Sequence, residues 1–145
     1  MEEKAGDVPL PPAGKTVGIF YNCKHDPDSG PPDADAEYDS MDTICAIRQA
    51  LDSAGFQTVL MECDELLPQR LTETKIDFAF NIAEGRSGRG REAEVPGLLN
   101  LLGIPFTGSD ETALCIALDK ALCKRLLSSY HIRTPRYRIF TKEGD

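Results

Sequence analysis

Residues 84–94, EGRSGRGREAE, set three Glu, three Arg and three Gly side by side, directly after the apolar run IDFAFNIA (76–83). Carboxylates in such a loop can hold a cation, guanidinium groups can hold a carboxylate or phosphate, and glycine lets main chain approach a ligand or turn through φ > 0. Glu84-Gly85 stands where the apolar run ends, and the free N–H groups of the helix that follows offer an anion site. Glu37, in AEYDS (36–40), is a second carboxylate, placed just ahead of a helix. Either it complements the positive end of that helix, or it is a fixed carboxylate for a substrate ammonium.

Other chemistries are excluded by pattern. Gly88-Arg89-Gly90-Arg91-Glu92-Ala93 fits G-x-G-x-x-A, and Asp110 lies 20 residues beyond Gly90. A dinucleotide fingerprint, however, belongs to the first strand-to-helix turn with hardly any gap between strand and glycines, whereas this run follows the third strand. The true exit of the first strand, NCKHDPDSGPPD, has proline where a phosphate turn needs N–H donors. A phosphoacceptor receiver domain would need Asp at the tip of the third strand, where Asn81 stands. The G-x-S-x-G, H-E-x-x-H and P-loop motifs are absent. His25 and His131 are isolated, so no metal site is expected. Cys23, Cys45, Cys63, Cys115 and Cys123 form no C-x-x-C pair, and most read as small buried hydrophobes.

A net charge of -8 over 145 residues argues against nucleic acid as partner, because its binders carry basic stripes. A small or cationic partner fits better. The chain has no apolar run near the ~18 residues of a membrane span, and its start lacks the basic-then-apolar plan of a secretion signal. A cytoplasmic protein without a membrane partner is the expectation.

These residues need a scaffold, and the apolar periodicity supplies one. KTVGIFYN (15–22) reads as a strand buried on both faces, FQTVLME (56–62) as a second, IDFAFNIA as a third and IPFTG (104–108) as a short fourth. Between them, Ile44, Ile47, Leu51 and Ala54 mark a helix capped by Asp39 or Ser40 and ended by Gly55. A weaker helix around DELLPQRL is interrupted by Pro68, and Val95, Leu98, Leu99 and Leu102 mark a third that Gly103 closes. Two more run from Ser109 or Asp110 to Leu118 and from Asp119 through Tyr130. Such alternation predicts an α/β fold, a three-layer Rossmann-like parallel sheet of about four strands with helices on both faces. Residues 1–14 read as a disordered leader, 15–134 as the domain, and RYRIFTKEGD (136–145) as a new strand with no room to be completed.

The run from Phe80 to Tyr137, with LLNLLGIPFTGSD, ALDKALCKRLL and a TP dipeptide ahead of the next strand, resembles the D-alanine–D-alanine ligase family. AEYDS occupies the place of that family's acidic segment, so the likeness runs from about 16 to 140. The resemblance implies a three-domain ATP-grasp enzyme of peptidoglycan biosynthesis, of which this chain is the first domain, with 135–145 the start of a truncated ATP-grasp domain. Such ligases use ATP and Mg²⁺ to phosphorylate the carboxylate of one D-amino acid, and the amine of a second attacks the acylphosphate. It further implies that Glu37 binds the ammonium of the first D-amino acid, with Ser40 and Gly85 in the substrate loops. Lys120, in the L-D-K motif, would reach toward the nucleotide, although it also reads as a solvated lysine beside Asp119. Glu84 stands where the best-known ligases have His, so it strengthens ammonium binding but cannot contact a substrate carboxylate. The fragment alone is expected to be inactive and to bind neither ATP nor Mg²⁺, with its partners being the D-amino acid, the missing ATP-grasp domains and a second copy in a homodimer. Arg86, Arg89 and Arg91 then face water, pair with Glu92 and Glu94, or pair across the cleft. The alternative from another class is a self-standing Rossmann-like small-ligand module, which expects 136–145 to close the sheet as an edge strand.

Overall fold

The computed structural model describes residues 14–24 and 36–140. The expected leader, His25, most of the loop after the first strand and residues 141–145 lie outside the described residues.

Three parallel strands form the sheet: β1 (Thr16–Tyr21), β2 (Gln57–Glu62) and β3 (Phe78–Asn81), in the order β2-β1-β3. Five helices accompany them: α1 (Met41–Ser53), α2 (Leu67–Glu73), α3 (Glu94–Leu102), α4 (Glu111–Leu118) and α5 (Lys120–Ser129). β1 is central, and its alternate side chains feed two cores. Ile19 and Tyr21 pack with Ile44 of α1, while Phe20 packs with Leu67 and Leu71 of α2 and Val95 and Leu99 of α3. Helices on both faces follow from a strand with no polar face, since a parallel sheet must be covered on each side.

The helix ends are set by local chemistry. Ser40 caps α1, Asp110 caps α4 and Asp119 caps α5, each accepting from a first-turn N–H, and Gly103 closes α3 in the left-handed region. Pro68 corrects the expectation for the second helix. It sits in the first turn of α2 rather than interrupting it, a position whose N–H has no intrahelical partner in any case.

Two further expectations are corrected. IPFTG is not a full strand: it makes one parallel bridge, Ala79 to Phe106, with Ala79 N–H donating to Pro105 O at 2.9 Å and Thr107 N–H to Ala79 O at 3.0 Å. Pro105 has no N–H to give, and the Asn81 N–H is taken by the Thr107 hydroxyl at 2.9 Å instead of by main chain. Residues 131–140 carry no strand either; they lie along α5, where Lys124 donates to Pro135 O at 3.2 Å and stands 5.2 Å from the Tyr137 ring centroid. Of the cysteines only Cys63 is buried, and burial pushes its thiol up to about 12, while Cys45 and Cys115 are exposed. Among the described residues no helix is long and apolar enough to cross a membrane.

Leu99 and Leu101 on α3 separate core from surface, at 0% and 82% exposure. Leu99→Ala is expected to cost about 2–5 kcal/mol in urea unfolding, and Leu101→Ala to stay within about 0.5 kcal/mol. Equal effects would contradict this packing.

Candidate functional site

With the order β2-β1-β3, the chain winds out from β1 in one direction and then returns across it, so the crevice at the carboxyl ends of β1 and β3 is the switch point where ligands bind in such sheets. Four chain segments meet there. Asn22 leaves β1, Cys63 leaves β2, Ile82–Gly85 leaves β3, and residues 37–40 are drawn alongside by a parallel bridge from Cys23 to Asp39. That bridge consists of Asp39 N–H to Asn22 O at 3.1 Å and Lys24 N–H to Asp39 O at 2.9 Å.

The Asn22 carboxamide ties the exits together. Its Nδ2 donates to Cys63 O at 3.1 Å, and its Oδ1 accepts from both Glu84 N–H and Gly85 N–H at 3.0 Å. The Tyr38 hydroxyl donates to Gly85 O at 3.1 Å, so the segment bearing Glu37 is fastened to the loop bearing Glu84. Gly85 has φ +73, and a Cβ there would lie 2.0 Å from the Arg91 carbonyl oxygen. No other residue fits that approach.

The structure therefore brings Glu37 and Glu84 to one edge. Glu84 lines a cavity of about 310 Å³ with Asp39 and Glu92, over an apolar floor of Ile82, Ala83 and Leu114. Its carboxyl is held above the ordinary glutamate range, first by burial and then by Glu92 and Glu37, with Arg91 opposing. Glu37 is exposed and bonded to Arg91 rather than lining that cavity. Ser40 uses its hydroxyl to cap α1, accepting from Thr43 N–H at 3.3 Å. Lys120 is exposed at the first position of α5 and is not among the residues lining the cavity. Among the described residues no group of three or more His, Cys, Asp or Glu is arranged to hold a metal ion.

The three arginines each reach a different element. Arg86 pairs with Glu65 beyond β2 at 3.2 Å while its N–H donates to Glu94 at 3.0 Å, Arg89 clasps Asp119 between α4 and α5, and Arg91 pairs with Glu37 with Glu92 4.0 Å away. The loop is thus pinned on three sides rather than solvated on its own. Sequence reasoning missed Asn22, Tyr38, Asp39 and Glu92 as site residues. Asp39 was visible as an acid two positions from Glu37 but was assigned to helix capping, and nothing local marks Asn22.

No family model matches the chain. Among curated proteins, the D-alanine–D-alanine ligase of Aquifex aeolicus is 39% identical over 106 residues, which is 73% of this chain and 36% of that protein. The D-alanine–D-alanine ligase of Pseudomonas entomophila is 40% identical over 106 residues, 73% of this chain and 33% of that protein. The chain spans about a third of the length of these relatives. Among solved structures, the D-alanine–D-alanine ligase of Bacillus anthracis complexed with ATP superposes with a TM-score of 0.64 at 24% identity, over 92% of this chain and 41% of that one, and shares the fold.

Two outcomes follow from the geometry. The Glu84 carboxyl takes up its proton at higher pH in the folded than in the unfolded chain, so the fold loses stability as pH rises through that window and carries the whole penalty at neutral pH. Glu84→Gln is expected to melt above the parent at pH 7, with the difference closing below about pH 4; a lower melting point at pH 7 would contradict the repulsion. Gly85→Ala is expected to lose at least about 2 kcal/mol, whereas Gly88→Ala, with open space around its Cβ, loses about 1 kcal/mol from its positive φ alone.

Proposed function

We propose, from the 39–40% identity to D-alanine–D-alanine ligases over about a third of their length, that this chain forms the amino-terminal, substrate-side domain of an ATP-dependent carboxylate–amine ligase acting on D-amino acids. The observation that carries the reading is the meeting of Glu37 and Glu84 at the carboxyl edge of one sheet, fastened by Tyr38 to Gly85 O. In this reading residues 15–134 are that domain, 135–145 begin the next, and the nucleotide-binding lobes lie outside these 145 residues.

The acidic cleft suits an ammonium. Glu84 is held protonated to higher pH than usual by burial and by neighbouring carboxylates, so an arriving cation relieves repulsion there as well as making a charge-assisted hydrogen bond. Glu37 already shares its carboxylate with Arg91, and the incoming ammonium joins or displaces that guanidinium. Asp39 and Glu92 complete the wall, while Ile82, Ala83 and Leu114 leave apolar surface for a small side chain. When bound, ATP would supply the phosphoryl group that activates a carboxylate. In this reading the exposed Lys120 is the residue that would contact it, as the family resemblance implies, and no group of three or more His, Cys, Asp or Glu among the described residues is arranged for a metal ion, so no step is assigned to the metal within this chain. The self-standing module reading expects an edge strand over 136–145; residues 136–140 form none, which favours the ligase reading.

D-Alanine titrated into the isotope-labelled chain is expected to move the amide resonances of Glu37, Glu84 and Gly85, and Glu37→Gln to weaken that binding about tenfold, as loss of a charge-assisted bond requires. Resonances that stay still at millimolar D-alanine would refute the assignment of this cleft.

A further inference from the structure

Among the described residues Asn22 is the one buried amide or charged side chain, 6% exposed. Its bonds to Cys63, Glu84 and Gly85, and the bond from Asp39 N–H to its own carbonyl, tie the exits of β2 and β3 and the segment at 37–40 to the exit of β1. The ladder between β1 and β3 closes with Ile82 N–H donating to Phe20 O at 2.9 Å. Past that point the Glu84 and Gly85 N–H groups converge on one oxygen, with Gly85 at φ +73. Successive N–H groups in this arrangement make a nest, a concavity that ordinarily receives an anion. Here a neutral amide oxygen fills it.

We propose that Asn22 is a positioning residue of the cleft: its carboxamide oxygen fills the Glu84–Gly85 nest and so fixes the main chain from which the Glu84 carboxylate reaches the cavity. The inference rests on the reading of the cleft as an amino-acid site. Asparagine alone meets the demands of the position. Aspartate would take the two N–H groups more strongly, but a carboxylate has no donor for Cys63 O. It would also set a further negative charge beside Glu84, where Glu92, Glu37 and Asp39 already act and Arg91 opposes them. Leucine, of similar size, would leave two N–H groups and a carbonyl without partners in a buried place.

Carbon-detected titration of the Glu84 carboxyl and D-alanine binding, both measured by NMR on the 145-residue chain, test this in Asn22→Ala and Asn22→Asp. In Asn22→Ala the Glu84 midpoint is expected to fall toward that of an ordinary glutamate and D-alanine affinity to drop about tenfold. In Asn22→Asp the midpoint is expected to rise above that of the parent, with the Glu84 and Gly85 amide resonances shifted as bonds to a carboxylate shorten. Should Asn22→Ala not fold, the Asn22→Asp arm decides by itself. Folded variants that melt earlier but leave the Glu84 midpoint where it was would show a purely structural role and overturn the proposal. A parent chain indifferent to D-alanine would instead refute the amino-acid reading, while the Glu84 midpoints would still judge what Asn22 does.

Discussion

Three parallel strands that end at a common edge leave main-chain groups that no neighbouring strand can reach, and in this protein one carboxamide satisfies three of them. Asn22 bonds to residues 41, 62 and 63 positions away in sequence, so the exits of β2 and β3 are held against the exit of β1 by a single side chain. Buried amides of this kind are costly when unpaired and rigid when fully paired. The cleft inherits that rigidity, because Glu84 is one of the two residues whose N–H groups are held, and Asp39 is bonded to the main chain of Asn22 itself. At the opposite edge Asp77 does a comparable task, accepting from Lys15 and from Thr16 N–H.

The charged loop after β3 is explained by placement rather than by stability. Exposed ion pairs contribute about 0–1 kcal/mol each, too little to account for three arginines on energetic grounds. What the pairs do is geometric. Arg86, Arg89 and Arg91 each reach an acid on a different segment, and Gly85 lets the Arg91 main chain pass close enough for its side chain to meet Glu37. The result is a carboxylate-lined cavity beside a guanidinium, that of Arg91, already paired with Glu37.

Features governed by near neighbours were legible in the sequence. The helix caps at Ser40, Asp110 and Asp119, the stop at Gly103 and the doubly buried β1 all depend on residues a few positions apart, and the structure has them. Pro68 was misjudged because its effect depends on where the helix begins, a boundary that periodicity places poorly. The fourth strand failed for a different reason: whether IPFTG pairs over its length depends on Ala79 and Asn81, some 26 positions back, and on a threonine hydroxyl competing with main chain. The site was half legible. Glu37 and Glu84 stand out as carboxylates at a helix start and a strand end, but Asn22 and Tyr38 work through partners 41 to 63 residues distant, and no local pattern announces such a bond.

The whole account depends on the strand exits being fastened at the carboxyl edge of the sheet. Amide hydrogen exchange reads that fastening directly. If the Asn22 clamp is as described, the Glu84 and Gly85 amides are protected on the same scale as Ile82 in the β1–β3 ladder, and far more than Gly88 or Arg89 in the loop beyond. Glu84 and Gly85 exchanging as fast as Gly88 would contradict it.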